Sequence, residues 1–228
     1  PVITSTQRSV GNKNFNTVTI YRPDGENMYQ HNKQFLVPIG EAMPYAYIYL
    51  FKLIGQGKIV DPSSQVREVS KGDTSAAPFS VNSIKLGLQA CSGAISPELY
   101  RDLVKNGANI LTNSASLSIF ANAQSYHNQA QQMARFMAVA NARPFVQATD
   151  GSYSFVLDSN GNWIVKSRQD KMQLVIATII TNNQRTLYTL LGEWIVLVSL
   201  VIAIAQGIAL WRTKPSLSPV KHKRYNIK

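Results

Sequence analysis

Short runs rich in β-branched and aromatic residues, separated by polar and turn-forming stretches, divide most of this chain into strand-like segments. They are "PVITST" at the start, "NTVTIYRP" from Asn16, "SIKLGLQA" from Ser83, "ANILTN" from Ala108, "PFVQAT" from Pro144, "YSFVLD" from Tyr153, "NWIVKS" from Asn162 and "QLVIATII" from Gln173. Two segments switch to a helical pattern. "SPELYRDLVKNG" has Ser96 as N-cap, Pro97 in the first helical position, Glu98 in the first turn and Gly107 as the stop. Residues 123–142 carry Met133, Met137 and Ala140 at helical spacing, as core rather than as ligands, and Pro144 ends the run. In "LDSNGNW", Asn160 and Gly161 suit the positive dihedrals of a hairpin turn. Strand, helix and strand followed by a meander predicts an α/β domain.

Residues 194–211, "WIVLVSLVIAIAQGIALW", break this pattern. They form an uncharged run of about 18 residues with a Trp at each end, close to the roughly 20 that cross a bilayer core as a helix. A buried core helix of that length would normally keep a polar face, so a membrane span is expected. Charge sharpens the picture. The net charge of +11 is not spread evenly: no acid follows Glu193, while Arg212, Lys214, Lys221, Lys223, Arg224 and Lys228 supply six of the 23 cations. The other 17 stand against 12 acids, so the excess is largely a tail and does not argue for nucleic acid. Cations beyond the span predict a cytoplasmic C-terminus and a globular part on the extracytoplasmic side.

At 45% hydrophobic and 15% charged residues the chain can bury a substantial core. A single cysteine excludes an internal disulfide, and with three scattered histidines it makes no zinc set. No Gly-rich phosphate loop is present, so no cofactor is expected. By itself Cys91, at the end of an apolar strand, reads as a small core hydrophobe. The first residues, without an initiator Met, suggest a strand entered midway and residues missing upstream.

Residues 29–44, "YQHNKQFLVPIGEAMP", change the reading of the cysteine. They resemble the "Y-x-K-x-x-L-V-P-F-G-E-x-x-P" signature of apolipoprotein N-acyltransferases, membrane-embedded members of the nitrilase superfamily, with Ile39 for the usual Phe. Further matches follow in order: Gly87 and Cys91, Pro97 and Arg101, "NGANILTN", "QMAR" at residues 132–135, "ARP" at residues 142–144 and "LYTLLGEW" before the apolar run. The resemblance covers nearly the whole chain but only the C-terminal portion of a family protein. It implies a nitrilase-like αββα sandwich, residues 1–185 being its C-terminal part, then a transmembrane helix over residues 190–212 and a basic cytoplasmic tail over residues 213–228.

The resemblance also implies a Glu, Lys, Cys triad, with Cys91 as nucleophile, Lys33 as oxyanion stabiliser and Glu41 as a second carboxylate that positions the lysine or its loop. The triad glutamate would lie before Pro1, so this chain alone is expected to be inactive. In the family reaction a phospholipid donates an acyl chain to the thiolate, and the N-terminal amine of a diacylglyceryl-cysteine lipoprotein receives it. Membrane association, a bacterial inner-membrane location and a monomer are expected. The alternatives are a membrane-tethered amidase or nitrilase-like hydrolase and a catalytically degenerate scaffold. The crowded "PYAYIYLFKLIG" at residues 44–55 is either core or a lid dipping into lipid. Departures cluster at the site: Gly93 replaces a family Glu, "NSASL" keeps Asn113 but not the aromatic pair that Phe120 could replace, Met137 and Ala140 replace charges, and Asp150 replaces an Asn.

Overall fold

The computed structural model describes residues 1–38, 40–60, 69–72, 77–120, 122–168 and 173–212. The basic tail of residues 213–228 and Ile39 lie outside them. The chain divides into two units, residues 1–192 and residues 193–228.

The first unit is built on two sheets. Strands β1 (Val2–Val10), β2 (Lys13–Tyr21) and β3 (Asn27–Asn32) form an antiparallel sheet in chain order. A second sheet also follows chain order, from β4 (Phe79–Val81) and β5 (Ile84–Ala90) through β6 (Ile110–Ser116) and β7 (Phe145–Asp150) to β8 (Phe155–Leu157) and β9 (Trp163–Lys166). Its centre, β5, β6 and β7, is parallel, and the outer strands are antiparallel. Parallel neighbours need crossovers. They are supplied by α2 (Pro97–Lys105) and α3 (Gln124–Asn141), which follow the surface helix α1 (Tyr45–Leu53) in the chain.

Two apolar layers hold this arrangement. On one face of the six-stranded sheet, Tyr100, Leu103 and Val104 of α2 and Ala134, Met137 and Ala138 of α3 pack on Leu111, Phe145, Phe155 and Leu157. On the other face, Leu88, Ala90 and Phe79 meet Val18 and Ile20 of β2. The order helices, sheet, sheet is three layers of the expected αββα sandwich. Alternation along β5 creates both contacts, since Gly87 lies under α2 while Leu88 and Ala90 point to the opposing sheet.

The helix and hairpin signals are realised with local differences. Ser96 occupies the N-cap of α2, but its side chain makes no cap bond; Pro97 opens the helix and Gly107 follows its end with φ +99°. In the β8 to β9 hairpin only Gly161 takes a positive φ, and the Asp158 carboxylate accepts the Asn160 and Asn162 amides. The expected strand "QLVIATII" is not one. Residues 173–180 form no ladder, and Leu174, Ile176 and Ile180 are exposed, because β-branched composition makes a strand only where a sheet edge accepts it. The run "PYAYIYLFKLIG" is not core either: none of α1 is buried, with Tyr45 79%, Tyr49 75% and Leu53 85% exposed. Residues 187–191 form a short α4 (Leu187–Leu191) within the first unit.

The second unit contributes α5 (Trp194–Arg212), 19 residues long with no buried residue and its one cation in the last turn. At 1.5 Å per residue it spans about 28 Å, matching a hydrocarbon core of roughly 30 Å. It is long and apolar enough to cross a membrane.

Candidate active site

Cys91 follows the last residue of β5 and opens a short 3-10 turn, Cys91–Ile95. It stands at the carboxyl end of the parallel strands, where open α/β sheets bind their ligands. Its φ of +48° is left-handed, a conformation that costs a residue with a Cβ about 1–2 kcal/mol. The thiol is partly exposed. A strained, accessible cysteine at a strand end does not behave as the small core hydrophobe that its neighbourhood in sequence suggests.

The loop after β3 delivers the second group. Lys33 is 1% exposed, and its backbone is held on both sides: its amide donates to the Asn16 carbonyl at 2.7 Å, and its carbonyl accepts the Gly72 amide at 2.9 Å. Its ammonium donates to both carboxylate oxygens of Glu41, each at 2.7 Å. Glu41 also accepts the Asn16 side-chain amide at 2.6 Å and the Val37 backbone amide at 2.7 Å. Four hydrogen bonds on one carboxylate fix the lysine in place, which is what a buried ammonium needs. Ser92 then joins the two loops, its hydroxyl donating to the Phe35 carbonyl at 2.8 Å. The residue after the cysteine is thereby tied to the residue two after the lysine.

Two features of this neighbourhood are not legible in the motif. Phe120, in the turn after β6, stacks on Tyr126 of α3 with ring centroids 4.2 Å apart. Burial, and then the electrostatic influence of Cys91, push the Tyr126 phenol above its usual range, so this aromatic pair flanks Cys91. Phe120 therefore does contribute an aromatic surface where "NSASL" lacks one. The only sequence signal was the aromatic residue closest to the helix start.

The second feature is Gln89, buried one turn of strand before Cys91. A Cβ built on Gly93 would lie 2.5 Å from its Oε1 and 3.2 Å from its own Cβ, so the amide occupies the space into which a side chain at position 93 would grow. Neither polar end of Gln89 has a partner among the described residues. Its register neighbour on β6 is Asn113, whose amide donates to Gln147 of β7 at 3.1 Å. A buried amide row thus underlies the Cys91 turn. Gly93→Ala is expected to lower stability by about 1–3 kcal/mol through overpacking, and Gln89→Ala in the same chain to relieve most of that loss, as read by urea unfolding.

The other motif residues are clamps. Arg101 donates to the Thr189 and Leu190 carbonyls, each at 3.1 Å, and fastens α4 to α2. Arg135 donates to the Gly161 carbonyl at 2.9 Å and lies over the Trp163 ring, pinning the hairpin to α3. Asp150 accepts the Ser116 hydroxyl at 3.2 Å, and Met137 is core. Among the described residues no group of three or more His, Cys, Asp or Glu could hold a metal.

The carbon-nitrogen hydrolase profile matches residues 2–186. The chain belongs to the carbon-nitrogen hydrolase family. Curated relatives of this hydrolase-family chain include the apolipoprotein N-acyltransferases of Geobacter metallireducens, 28% identical over 66% of this chain and 27% of that protein, and of Shewanella oneidensis, 28% identical over 76% and 32%. The chain spans about a third or less of their length. Its fold is shared with the carbon-nitrogen hydrolase of Helicobacter pylori G27, at a TM-score of 0.56 and 18% identity, covering 75% of this chain and 58% of that one. An amidase from Nesterenkonia sp. AN1, crystallised with acrylamide added at its active-site cysteine, superposes at 0.52 with 16% identity over 72% of this chain and 57% of that one. The chain is a divergent member of the nitrilase superfamily.

Proposed function

We propose that this chain carries the nucleophile portion of an apolipoprotein N-acyltransferase, with Cys91 as the acyl carrier. The observation behind this reading is the joining of the strained Cys91 turn to the buried Lys33 and Glu41 loop through Ser92 and Phe35. The Cys91 thiolate attacks the ester carbonyl of a phospholipid; the carbon to oxygen bond breaks, and the lysophospholipid leaves with a proton. The amine of a diacylglyceryl-cysteine lipoprotein then attacks the thioester, the carbon to sulfur bond breaks, and the amine gives up a proton so that the sulfur leaves as the thiol. Two ammonium protons of Lys33 are committed to Glu41, and the third serves the developing oxyanion. The base that takes the thiol proton would come from upstream of Pro1. A span by α5 would set the domain on the extracytoplasmic face of a bacterial inner membrane with the tail in the cytoplasm, as a monomer.

The test is intact mass of the membrane-purified protein after incubation with phospholipid. An acyl-sized gain removable by hydroxylamine is expected; a protein that consumes phospholipid without ever carrying that adduct would refute the carrier role.

The amidase neighbour supports a second reading, hydrolysis of small amides by the same cysteine. Helix α1 separates the two. Its exposed Tyr45, Tyr49 and Leu53 form an apolar surface suited to lipid. Replacing all three with Asp should lower phospholipid acyl transfer at least about tenfold, as the apolar contribution of large side chains implies, while leaving hydrolysis of a soluble amide within about twofold. Phospholipid transfer that stays within about twofold of the parent in this variant would remove the role of α1 and favour the hydrolase.

A further inference from the structure

At the amino ends of β5, β6 and β7, the opposite edge of the sheet from Cys91, lies a cavity of about 320 Å3. With strand residues about 3.3 Å apart, the length of β5 puts it on the order of 20 Å from the nucleophile. Its charged lining residues are Lys85, Arg143 and Arg185, and among the described residues no acid lines it.

Arg143 is 3% exposed, and its hydrogen bonds go to neutral groups: Nε donates to the Ala108 carbonyl at 2.8 Å, and Nη1 to the carbonyls of Asn141 at 3.2 Å, Ala142 at 3.0 Å and Gln184 at 2.6 Å. Carbonyls satisfy its protons but leave its unit charge uncompensated. Arg185 aggravates this. Burial, and then repulsion from the Arg185 guanidinium, pull the Arg143 pKa below its usual value. Lys85 completes the group: a Cβ on Gly107, which also lines the cavity, would lie 3.4 Å from the Lys85 ammonium. The ion pairs among the described residues are Arg22 with Glu26 and Lys33 with Glu41, so none of these three cations has a carboxylate partner there. Asn109 stiffens the rim by accepting the Lys85 amide at 2.9 Å and donating to the Ser83 carbonyl at 3.0 Å.

Three cations converging on one concave site without a counter-charge raise each other's energy, and an anion relieves all three at once. We propose that this cavity is a binding site for a phosphate group. Three positive charges suit a phosphate better than a single carboxylate, and guanidinium donors match its geometry. The volume falls at the lower end of small-molecule pockets, roughly 300–1,000 Å3, and so has room for the group that bears the phosphate. A free phosphate ion and a phospholipid headgroup share this chemistry. The proposal does not depend on acyl transfer at Cys91.

The experiment is calorimetric titration of the full chain in neutral detergent with two probes, inorganic phosphate and dihexanoyl phosphatidylglycerol below its micelle concentration. The variants are Lys85→Gln and Arg185→Gln. Both residues are exposed, so the changes spare the core, whereas Arg143 is left intact because it ties backbone together. Saturable binding of at least one probe is expected, weakened about tenfold by each substitution. Binding of inorganic phosphate marks a free-ion site; binding of the lipid probe alone marks a headgroup site. Binding that survives in the double variant, or no binding of either probe at millimolar concentration, overturns the proposal.

Discussion

Cys91→Ser is expected to abolish the proposed acyl transfer, and Cys91→Gly to do the same while raising stability. The serine variant keeps size and shape but replaces the sulfur nucleophile with a far weaker oxygen one, so turnover should fall on the order of 10⁴-fold, the scale on which losing a nucleophile collapses a cooperative catalytic unit. The glycine variant isolates the second property of this residue. Because φ is +48° at position 91, glycine relieves the left-handed strain and should stabilise the chain by about 1 kcal/mol, net of its greater freedom when unfolded. A core cysteine would behave in the opposite way, since truncating a well-packed side chain costs stability. Thermal melting of the three proteins beside phospholipid turnover reads both effects. Serine-variant turnover within tenfold of the parent would end the case for Cys91 as acyl carrier, and a destabilised glycine variant would mean that the turn is packed, not strained.

Strands that pack on both sides announce themselves, and those that do not are silent. β5 and β6 lie between the helices and the opposing sheet and β7 packs on the helices, and their apolar composition is visible in "SIKLGLQA", "ANILTN" and "PFVQAT". β3 has no fully buried residue in its polar "NMYQHN", and β4 has three residues, so neither carries a composition signal. The converse error is "QLVIATII", whose apolar residues lack a partner edge among the described residues. Chemistry was legible only through the resemblance, because no periodicity distinguishes Cys91 from a core thiol or Lys33 from a surface one. What joins them is tertiary: the bond from Ser92 to Phe35 spans 57 positions, and the amide of Gln89 fills the place beside Gly93. Tyr126 was hidden for the same reason, since only the packing of α3 against the Cys91 turn sets it beside the thiol.

The same distinction between sequence spacing and tertiary contact governs the second large effect, at the Lys33 and Glu41 pair. The lysine side chain is 0% exposed and the glutamate side chain 15% exposed. Glu41→Gln leaves an ammonium buried opposite a neutral amide, and breaking a buried pair from one side costs about 3–5 kcal/mol. Lys33→Met should cost less, roughly 1–3 kcal/mol, because Glu41 keeps the Asn16 and Val37 donors and some contact with water. The double variant removes both charges and should return to within about 1 kcal/mol of the parent, giving a coupling of several kcal/mol in a double-mutant cycle by urea unfolding. Additivity within about 0.5 kcal/mol would mean that the two groups do not meet in solution. Activity follows a different rule. Every variant lacking Lys33 should be inactive, the restabilised double variant included, because on the proposed mechanism the ammonium serves the oxyanion and a folded apolar substitute cannot. Recovery of stability without recovery of turnover would separate what the pair does for the fold from what its lysine does for the reaction.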